Sequence, residues 1–371
     1  MINNQRIPFF NYQQLFKDHA QEYLKIIEDV CERGAYIMGE ELTLFEQKLS
    51  RYTGAKYAIG VADGTMALIL GLMSVGIQKD DEVLVPSHTF IATAASVHHV
   101  GAKPVLVDCG RDHLIDPESV RKAITSRTRA IIPVQLNGRT ANMDKILEIS
   151  AQYDLKIVED AAQALGSKFK EKMAGTFGDV GTFSFYPSKT LGGFGDGGAI
   201  VTNDEHIAYK IRALRDHGRS ESGEIIGWGF NARLDNLQAA ILSFKLDVYP
   251  ESIQKRRNLA AIYHERLKEI KQLILPVGPD EQVNHYDIYQ NYEIEAENRE
   301  ELIKYLRENG INTIIQWGGN CIHQFPALKL SVNVPYTEKM SKSYMLLPLN
   351  PVLIKQEIEY ICDKIIKFYI K

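Results

Sequence analysis

The sequence has little of what would tie a chain to a membrane, to disulfide bonds or to zinc. No run approaches the roughly 18 uninterrupted apolar residues of a membrane span, and the opening MINNQRIPFFNYQQ lacks a signal peptide's basic region followed by an apolar one. The four cysteines are scattered, with no CxxC pair and no histidine at metal-ligand spacing. We therefore expect a cytoplasmic protein with free thiols and without a membrane segment, disulfide framework or metal site.

The sequence also has no strong excess of positive or negative side chains. The 371 residues include 43 basic and 47 acidic side chains, a net charge of −4, which argues against a nucleic-acid partner. A hydrophobic fraction of 45% and a charged fraction of 24% are ordinary for a soluble globular protein. The length suggests two domains. We place the boundary near Pro250, which is expected to interrupt a helix, giving a large domain, 1–250, and a small domain, 251–371.

What the sequence does contain is a regular alternation of strand and helix patterns. Short apolar runs such as KYAIGVA, DEVLVP, KPVLVD and RAIIPVQL alternate with segments whose apolar residues recur at helical spacing. This order predicts an α/β fold with a mostly parallel central sheet and right-handed crossovers in the large domain. The C-terminal part predicts a smaller α/β unit, with a strand over 311–317 and a final helix from Leu353.

Residues 155–202 carry the most specific pattern. LKIVED predicts a parallel strand buried on both sides, with Asp160 at its carboxyl end, where ligand sites form in such sheets. Lys189 lies farther along, between Ser188 and Thr190 and before a glycine-rich run, so we expect it in a turn. Pyridoxal phosphate requires a lysine that binds it covalently and an acid at its ring nitrogen. We predict that Lys189 and Asp160 fill these catalytic roles.

Two simpler interpretations compete with this one. A lone lysine is most often a solvated surface residue. The glycine run also contains G-x-G-x-x-G at Gly193, Gly195 and Gly198, but a dinucleotide fingerprint must open a helix, whereas AIVT follows here and predicts a strand. We therefore expect these glycines to let the backbone pass close to a cofactor and to Lys189.

A second candidate element is an anion site at the start of a helix. KYAIGVA leads directly into DGTMALILGLMSVG, so Gly64 and Thr65 lie where several backbone N–H groups have no intrahelical partner. Glycine allows a phosphate to approach closely, and the helix dipole favours an anion. We predict that these two residues hold the cofactor phosphate, with an ordinary helix start as the alternative.

Together these motifs resemble the DegT/DnrJ/EryC1/StrS sugar aminotransferases, pyridoxal-phosphate enzymes with the aspartate-aminotransferase fold. The resemblance rests on EDAAQALG and SFYPSKTLGGFGDGGAIVT, with further matches from about residue 7 to residue 349. It implies that pyridoxal 5'-phosphate is the cofactor and that its contacts are Gly64, Thr65, Phe90, Asp160, Ala162, Gln163, Ser184, Lys189 and Asn231. It also implies substrate contacts by Tyr36, Tyr186, His217 and His323.

Several of these residues have plausible structural roles instead. The resemblance implies that Phe90, one turn into a predicted helix, stacks on the cofactor ring, although phenylalanine is often part of the core. Tyr36 would approach the substrate or pack in the core. Asn231, which with Arg233 opens a predicted long helix, would reach across the interface of a homodimer with shared active sites, or cap its own helix.

The resemblance extends to the substrate. Family members that aminate carbon 4 usually contain SFHxxK and GEGG, whereas those acting at carbon 3 contain SFYPSKN and GDGG; this chain has Tyr186 and Asp196 at the distinguishing positions. Thr190 departs from the usual asparagine. The resemblance implies amination of a dTDP-linked 3-keto-6-deoxyhexose, with glutamate as the expected amino donor. The product would be a 3-amino-3,6-dideoxy sugar of bacterial surface polysaccharides such as O-antigen.

Three other functions remain as alternatives. One is an aminotransferase acting on a 4-keto nucleotide sugar. The second is a sugar dehydratase of the same family, in which histidine replaces the lysine, and the third is a non-catalytic relative, which is expected to lose the lysine or the acid. The presence of Lys189 and Asp160 argues against the last two.

Overall fold

A computed structural model describes residues 6–370 of the chain. The first five residues, which the predicted large domain includes, and Lys371, at the end of the predicted small domain, lie outside the described residues. Within 6–370, no helix is long and apolar enough to cross a membrane. The four cysteines are free thiols, as predicted, and three of them are buried.

Helices and strands alternate along most of the chain. The α-helices of the described residues are α1 (Tyr12–Lys17), α2 (Ala20–Arg33), α3 (Glu40–Thr53), α4 (Gly64–Ser74), α5 (Ile91–His99), α6 (Pro117–Ala123), α7 (Met143–Tyr153), α8 (Glu205–Arg215), α9 (Asn236–Leu267), α10 (Arg299–Glu308), α11 (Pro335–Met340) and α12 (Lys355–Tyr369). The strands are β1 (Tyr57–Val61), β2 (Glu82–Pro86), β3 (Lys103–Val107), β4 (Thr128–Ile131), β5 (Lys156–Asp160), β6 (Lys168–Phe169), β7 (Lys172–Met173), β8 (Val180–Ser184), β9 (Gly198–Thr202), β10 (Leu273–Ile274), β11 (His285–Tyr286), β12 (Tyr292–Ala296) and β13 (Tyr344–Leu347).

A seven-stranded sheet in the order β1-β9-β8-β5-β4-β2-β3 forms the centre of the fold. Neighbouring strands are parallel, except that β9 runs antiparallel to both β1 and β8. Strands β2 and β9 are buried along their whole length, as strands covered by helices on both faces must be. The predicted α/β class with a mostly parallel sheet is confirmed.

The C-terminal part has a sheet and a core of its own. Strands β10, β12 and β13 form an antiparallel sheet, which packs with α10, α12 and the second half of α9 around a separate apolar core. Ile7 belongs to this core, and its backbone bonds to Gly310 and Asn312. The beginning of the described chain therefore packs on its C-terminal part.

Helix α9 continues through Pro250, so the prediction that this proline interrupts the helix is wrong. Proline removes one helical hydrogen bond and crowds the preceding turn, but the buried side chains of Tyr249 and Ile253 hold the helix on both sides of it. Along α9 the contacts pass from one apolar core, which includes Ile253, to another, which begins at Leu259. The boundary at residue 250 falls inside a helix near this transition, and the division into domains stays a prediction.

The strand predicted over 311–317 does not form. Its residues make only isolated bridges, and the segment then enters a 3-10 turn at Gln316–Gly319. Trp317 has a φ of 53° there, in the left-handed region that strands exclude. The turn brings Trp317 to the wall of the cavity described below.

The two acids at the end of β5 have different surroundings. Glu159 is fully buried, and its carboxylate accepts three hydrogen bonds from backbone N–H groups of residues 175–178 and one from the Gln135 amide. These four donors satisfy the buried carboxylate, so Glu159 fixes the 175–178 turn against the sheet. Asp160, in contrast, lines a large cavity.

Replacing Glu159 with glutamine should destabilise the fold. The change puts an NH2 group where an oxygen now accepts two hydrogen bonds, and each buried donor left unpaired costs about 1–3 kcal/mol. We expect the free energy of unfolding, measured by urea denaturation, to fall by about 2–4 kcal/mol. Glu148→Gln, the same change on an exposed side chain of α7, should stay within about 0.5 kcal/mol of the wild type. Equal unfolding midpoints for the two variants would contradict this role.

Candidate active site

A cavity of about 740 Å³ opens at the carboxyl ends of β1, β2, β4, β5 and β8. Ligand sites form at this edge of a parallel sheet. Gln290, Asn291 and Trp317 of the C-terminal part close one side of it. The predicted site residues that line it are Gly64, Thr65, Phe90, Asp160, Ala162, Gln163, Ser184, Tyr186 and Lys189.

Lys189 faces this cavity from a turn, as predicted, in which its N–H donates to the Tyr186 carbonyl at 2.8 Å. Gln290 holds the turn on both sides of the lysine. Its side chain accepts a hydrogen bond from the Thr190 N–H (2.7 Å) and donates one to the Ser188 carbonyl (2.9 Å). Sequence reasoning missed Gln290 because it acts on backbone groups about 100 positions away, and no local pattern signals such a contact.

Lys189 and Asp160 influence each other's ionisation. Burial lowers the pKa of the Lys189 amine, and the charge of Asp160 offsets part of that shift. Burial raises the pKa of Asp160. Hydrogen bonds from the Thr93 hydroxyl (2.8 Å) and the Ala162 N–H (3.2 Å), together with the charge of Lys189, lower this pKa and offset part of the shift. An amine with a lowered pKa is neutral, and so nucleophilic, in more of the molecules at neutral pH.

The start of α4 forms one end of the cavity. The helix begins at Gly64, and Asp63 caps it by accepting a hydrogen bond from the Met66 N–H at 2.8 Å. A Cβ atom at residue 64 would lie 2.7 Å from the Cβ of Ser184, so glycine is required for this close approach. The free backbone N–H groups of the first turn and the neighbouring Ser184 hydroxyl suit an anion such as a phosphate.

Phe90 lies directly before α5, so the prediction that it lies one turn into a helix is wrong. Its backbone is extended because the helix begins only at Ile91. The side chain is 53% exposed and lines the cavity, which contradicts the alternative of a core residue. An aromatic ring exposed in a cavity is available to a planar ligand.

Gln163 keeps a donor available in the cavity. Its Oε1 accepts hydrogen bonds from the Asn137 N–H (2.9 Å) and the Asn291 side chain (3.4 Å). These contacts fix the amide so that Nε2 remains a donor. Ala162, the preceding residue, adds only a methyl group to the wall and leaves room for a flat ring.

The remaining predicted residues do not line the cavity of their own chain. Asn231 is exposed and lies in an extended segment, held by bridges to β1 and to the residue after α8. Because α9 begins only at Asn236, the prediction that Asn231 and Arg233 lie on the long helix is wrong, and so is the alternative of a helix cap. The residues outside the cavity are Tyr36, His217, Asn231 and His323.

Two of these residues have partners elsewhere. Nδ1 of His323 hydrogen-bonds the Ser87 hydroxyl at 2.6 Å. The Tyr36 hydroxyl donates to the Cys31 carbonyl, and the side chain is 53% exposed, which contradicts a place in the core. His217 is exposed, with a φ of 60°. Substrate contact by these three residues stays a prediction.

The donor set of the cavity fits pyridoxal phosphate. It combines an amine of lowered pKa, a buried carboxyl group, a helix N-terminus, an exposed aromatic ring and an amide donor. These groups come from four segments of the chain, and the sheet brings them to one edge. The glycine run leads into β9 rather than into a helix, as predicted, so a dinucleotide fingerprint is absent there.

The sequence and the fold match known proteins over almost their whole length. Residues 17–366 match the DegT/DnrJ/EryC1/StrS aminotransferase family. The chain is 39% identical over 338 residues to the UDP-2-acetamido-2-deoxy-3-oxo-D-glucuronate aminotransferase of Pseudomonas aeruginosa, covering 91% of this chain and 93% of that protein. It is 37% identical over 370 residues to the dTDP-3-amino-3,6-dideoxy-alpha-D-galactopyranose transaminase of Aneurinibacillus thermoaerophilus, covering 98% and 99%. The crystal structure of S. venezuelae DesV superposes with a TM-score of 0.95 at 36% identity, covering 99% and 100%.

Proposed function

Since the chain belongs to the DegT/DnrJ/EryC1/StrS aminotransferase family, we propose that it transfers an amino group from glutamate to carbon 3 of a dTDP-linked 3-keto-6-deoxyhexose. The protein is a pyridoxal-phosphate-dependent sugar aminotransferase. The observation that supports the assignment of its active site is that Lys189 and Asp160 line one cavity, together with the N-terminus of α4.

Lys189 is the proposed covalent anchor and base. Pyridoxal phosphate, when bound, supplies a sink for the electrons of a broken C–H bond. We assign Lys189 two tasks: it holds the cofactor between turnovers, and once the donor's amine displaces it, it moves a proton at the substrate carbon. The lowered pKa of its amine supports both tasks because both need the neutral form. Asp160 would keep a proton on the ring nitrogen.

The other cavity residues would hold the remaining edges of the cofactor. The backbone N–H groups of Gly64 and Thr65 and the hydroxyl of Ser184 would bind its phosphate. The free amide donor of Gln163 would bind the ring hydroxyl. The contacts with the ring faces are assigned to Phe90 and Ala162.

Tyr186 and Asp196 support amination at carbon 3. Both residues line the cavity, and Tyr186 is 54% exposed there, within reach of a bound sugar. Moving the ketone by one carbon rotates the hexose relative to the cofactor. The part of the cavity wall that contains Tyr186 and Asp196 must therefore differ between enzymes that act at carbon 3 and enzymes that act at carbon 4. Thr190 directs its hydroxyl to that of Tyr249 and is not part of the cavity wall. The presence of threonine instead of the family's asparagine at position 190 therefore leaves the cavity wall around Tyr186 and Asp196 unchanged.

We further propose a cytoplasmic enzyme whose product enters bacterial surface polysaccharides such as O-antigen. A nucleotide-linked substrate supports this setting because such sugars are the activated precursors of these polymers. The proposal keeps a large domain, 1–250, and a small domain, 251–371. The cavity wall formed by Gln290, Asn291 and Trp317 supports that division, since a site between two units can close over its substrate.

The substrate is tested with the purified enzyme, glutamate and three nucleotide sugars. These are a dTDP-linked 3-keto-6-deoxyhexose, its 4-keto isomer and a UDP-linked 3-keto sugar, with 2-oxoglutarate formation and product mass as readouts. We expect kcat/KM to be at least about tenfold higher for the dTDP-linked 3-keto sugar than for either of the others, because a site that fits one ketone position and one nucleotide loses contacts with the alternatives.

Each arm of this experiment addresses a separate part of the proposal. Turnover of the 4-keto isomer at comparable or better kcat/KM overturns the carbon-3 assignment and leaves the aminotransferase intact. Preference for the UDP sugar overturns the nucleotide assignment. Replacing glutamate with other amino acids tests the donor: product that forms with another amino acid but not with glutamate overturns glutamate as the donor.

Segment 225–231 supports a homodimer with shared active sites. Ile225, Ile226 and Trp228 are 60%, 49% and 97% exposed, an apolar patch of the kind that a second subunit covers. Asn231 ends this segment, exposed and outside the cavity of its own chain. We assign Asn231 to the cofactor phosphate in the site of the neighbouring subunit.

Mixed dimers test the shared site. Asn231→Ala should weaken cofactor retention and activity, and Lys189→Ala should abolish activity. In a dimer of one subunit of each kind, both lesions fall in one site and the other site is intact. Co-expression of the two variants should therefore restore up to about a quarter of the wild-type activity, because half of randomly paired dimers are mixed.

The control mixes two single variants, each of which damages the site of its own subunit. Lys189→Ala subunits mixed with Asp160→Asn subunits leave one lesion in every site and should restore nothing. If mixing Lys189→Ala with Asn231→Ala restores no activity, as in the control, sites built within single chains are favoured.

A further inference from the structure

A buried group of two histidines and a glutamate lies beyond the residues assigned above. His88 follows β2, His113 lies between β3 and α6, and Glu293 is on β12. All three are buried, and their ligand atoms lie within 4.8 Å of one another. We propose that this triad binds one divalent cation of the zinc class, which joins the C-terminal sheet to the central sheet.

Unpartnered buried atoms in the triad point to a ligand-binding site. Within residues 6–370, neither ring nitrogen of His88 nor Oε2 of Glu293 has a hydrogen-bond partner. Nε2 of His88 lies 3.5 Å from that oxygen, too far for a good hydrogen bond. Buried polar atoms are nearly always satisfied in native proteins, and a cation between these atoms would satisfy both side chains.

His113 has the surroundings of a metal-binding histidine. Its Nδ1 lies 2.5 Å from Oε1 of Glu293, and its Nε2 lies 3.2 Å from Oε1 of Glu295. Histidine ligands usually donate their second ring N–H to a carboxylate, which fixes the ring and the tautomer. Binding would replace the proton between Nδ1 and Glu293 with the cation and leave Glu295 as the carboxylate behind the ligand.

The spacing and the chemistry of the triad suit zinc. Zn–N bonds of about 2.0–2.1 Å place tetrahedral ligand atoms about 3.3 Å apart, a value between the 2.5 Å contact of His113 with Glu293 and the 4.8 Å limit of the group. Two imidazoles and one carboxylate are a ligand set that zinc uses. A small cavity of about 90 Å³, lined by His113 and Glu293, has room for a water as fourth ligand.

The charge count favours a divalent ion. Glu293 and Glu295 carry two negative charges in a buried region, and histidine ligands are neutral when they bind a metal. One divalent cation therefore balances the group. Sequence spacing could not indicate this site, and we expected none, because its ligands come from three segments that meet only in the fold.

The site touches the wall of the active-site cavity. The Trp317 ring packs on His88 with ring centroids 5.2 Å apart, and Trp317 lines the cavity. The Tyr344 ring of β13 also packs against His88, with ring centroids 5.0 Å apart. A cation on His88 would thus hold the C-terminal wall of the cavity in place.

The test uses full-length, tag-free holoenzyme that is stripped with a chelator, loaded with Zn²⁺ and desalted. We expect about one retained Zn²⁺ per chain by elemental analysis and a higher Tm than in the stripped enzyme. Glu293→Gln should bind at least tenfold more weakly, and Glu295→Gln about 10- to 100-fold more weakly. The control is Glu281→Gln, a carboxylate that pairs with the single histidine His264 at 2.8 Å, which should bind like the wild type.

Cobalt provides a readout that does not depend on the variants folding. Co²⁺ added to the stripped wild-type enzyme should give the intense visible bands of a four-coordinate site. Loss of Zn²⁺ on desalting, retention by Glu293→Gln equal to that of Glu281→Gln, or a Co²⁺ spectrum equal to that of the aqueous ion would each overturn the proposal.

Discussion

Lys189→Ala should stop amino transfer and leave the fold intact. The same amine is the proposed nucleophile and the proposed base, so we expect kcat to fall by about a thousandfold or more. The fold should survive because Lys189 lines a cavity and is only partly buried, so the truncation removes little core packing. Initial rates with glutamate and the best keto sugar give the first quantity, and circular dichroism and Tm give the second.

Borohydride reduction locates the covalent attachment directly. In the wild type it should fix the cofactor on the peptide that contains Lys189, as seen by mass spectrometry, and in the variant it should fix none. Lys245→Ala is the matched control because burial also lowers the pKa of Lys245, to about 8. Lys245 does not line the cavity, and its Nζ donates to the Gly192 carbonyl at 2.6 Å. Activity above a tenth of wild type in Lys189→Ala, or fixation on another lysine, contradicts the assignment.

Features set by local sequence were predictable. Helices α2 and α3 end directly before Gly34 and Gly54, whose φ of 63° and 78° favours glycine over other residues, so glycine is a local signal for these helix ends. The strands of the central sheet follow apolar runs because a strand covered on both faces can contain little else. The strand-to-helix step at Gly64 was also predictable, since its signals lie within a few residues of one another.

Features that depend on distant packing were not predictable. Pro250 is a valid helix-breaking signal, but side chains on both sides of it are buried in cores that the rest of the chain supplies. The segment 311–317 has a strand-like composition, yet a bend with a positive φ at Trp317 turns it into the cavity wall. In both cases tertiary contacts outweigh local propensity.

The active-site residues also fall into a group that the sequence indicates and a group that only the fold reveals. Lys189 and Asp160 were identified because the cofactor's chemistry requires those two residue types. Gln290, which clamps the lysine turn, and Thr93, which donates to Asp160 at 2.8 Å, are ordinary polar residues whose importance lies in what the fold places beside them. The roles of such residues follow from the three-dimensional fold and not from the local sequence.

Asp160→Asn should bind the cofactor and still react slowly. The amide is nearly the same size as the carboxyl group and can keep a hydrogen bond from Thr93 or from the Ala162 N–H, so the site should assemble and Lys189 should still be fixed by borohydride. A neutral amide does not hold a proton on the ring nitrogen, which weakens the electron sink during C–H cleavage. We expect kcat to fall by about 10²- to 10³-fold, the usual loss for one preorganised electrostatic group.

The neighbouring carboxylate gives the matched control for this variant. Glu159→Gln removes the adjacent buried charge of the same strand but faces the 175–178 turn rather than the cavity, so it should lower stability and leave turnover per folded molecule unchanged. Asp160→Asn should lower turnover and leave stability unchanged. Its primary isotope effect with α-deuterated glutamate should rise because C–H cleavage becomes the slow step. Turnover within about threefold of wild type, or an unchanged isotope effect, would show that Asp160 does not act through the ring nitrogen.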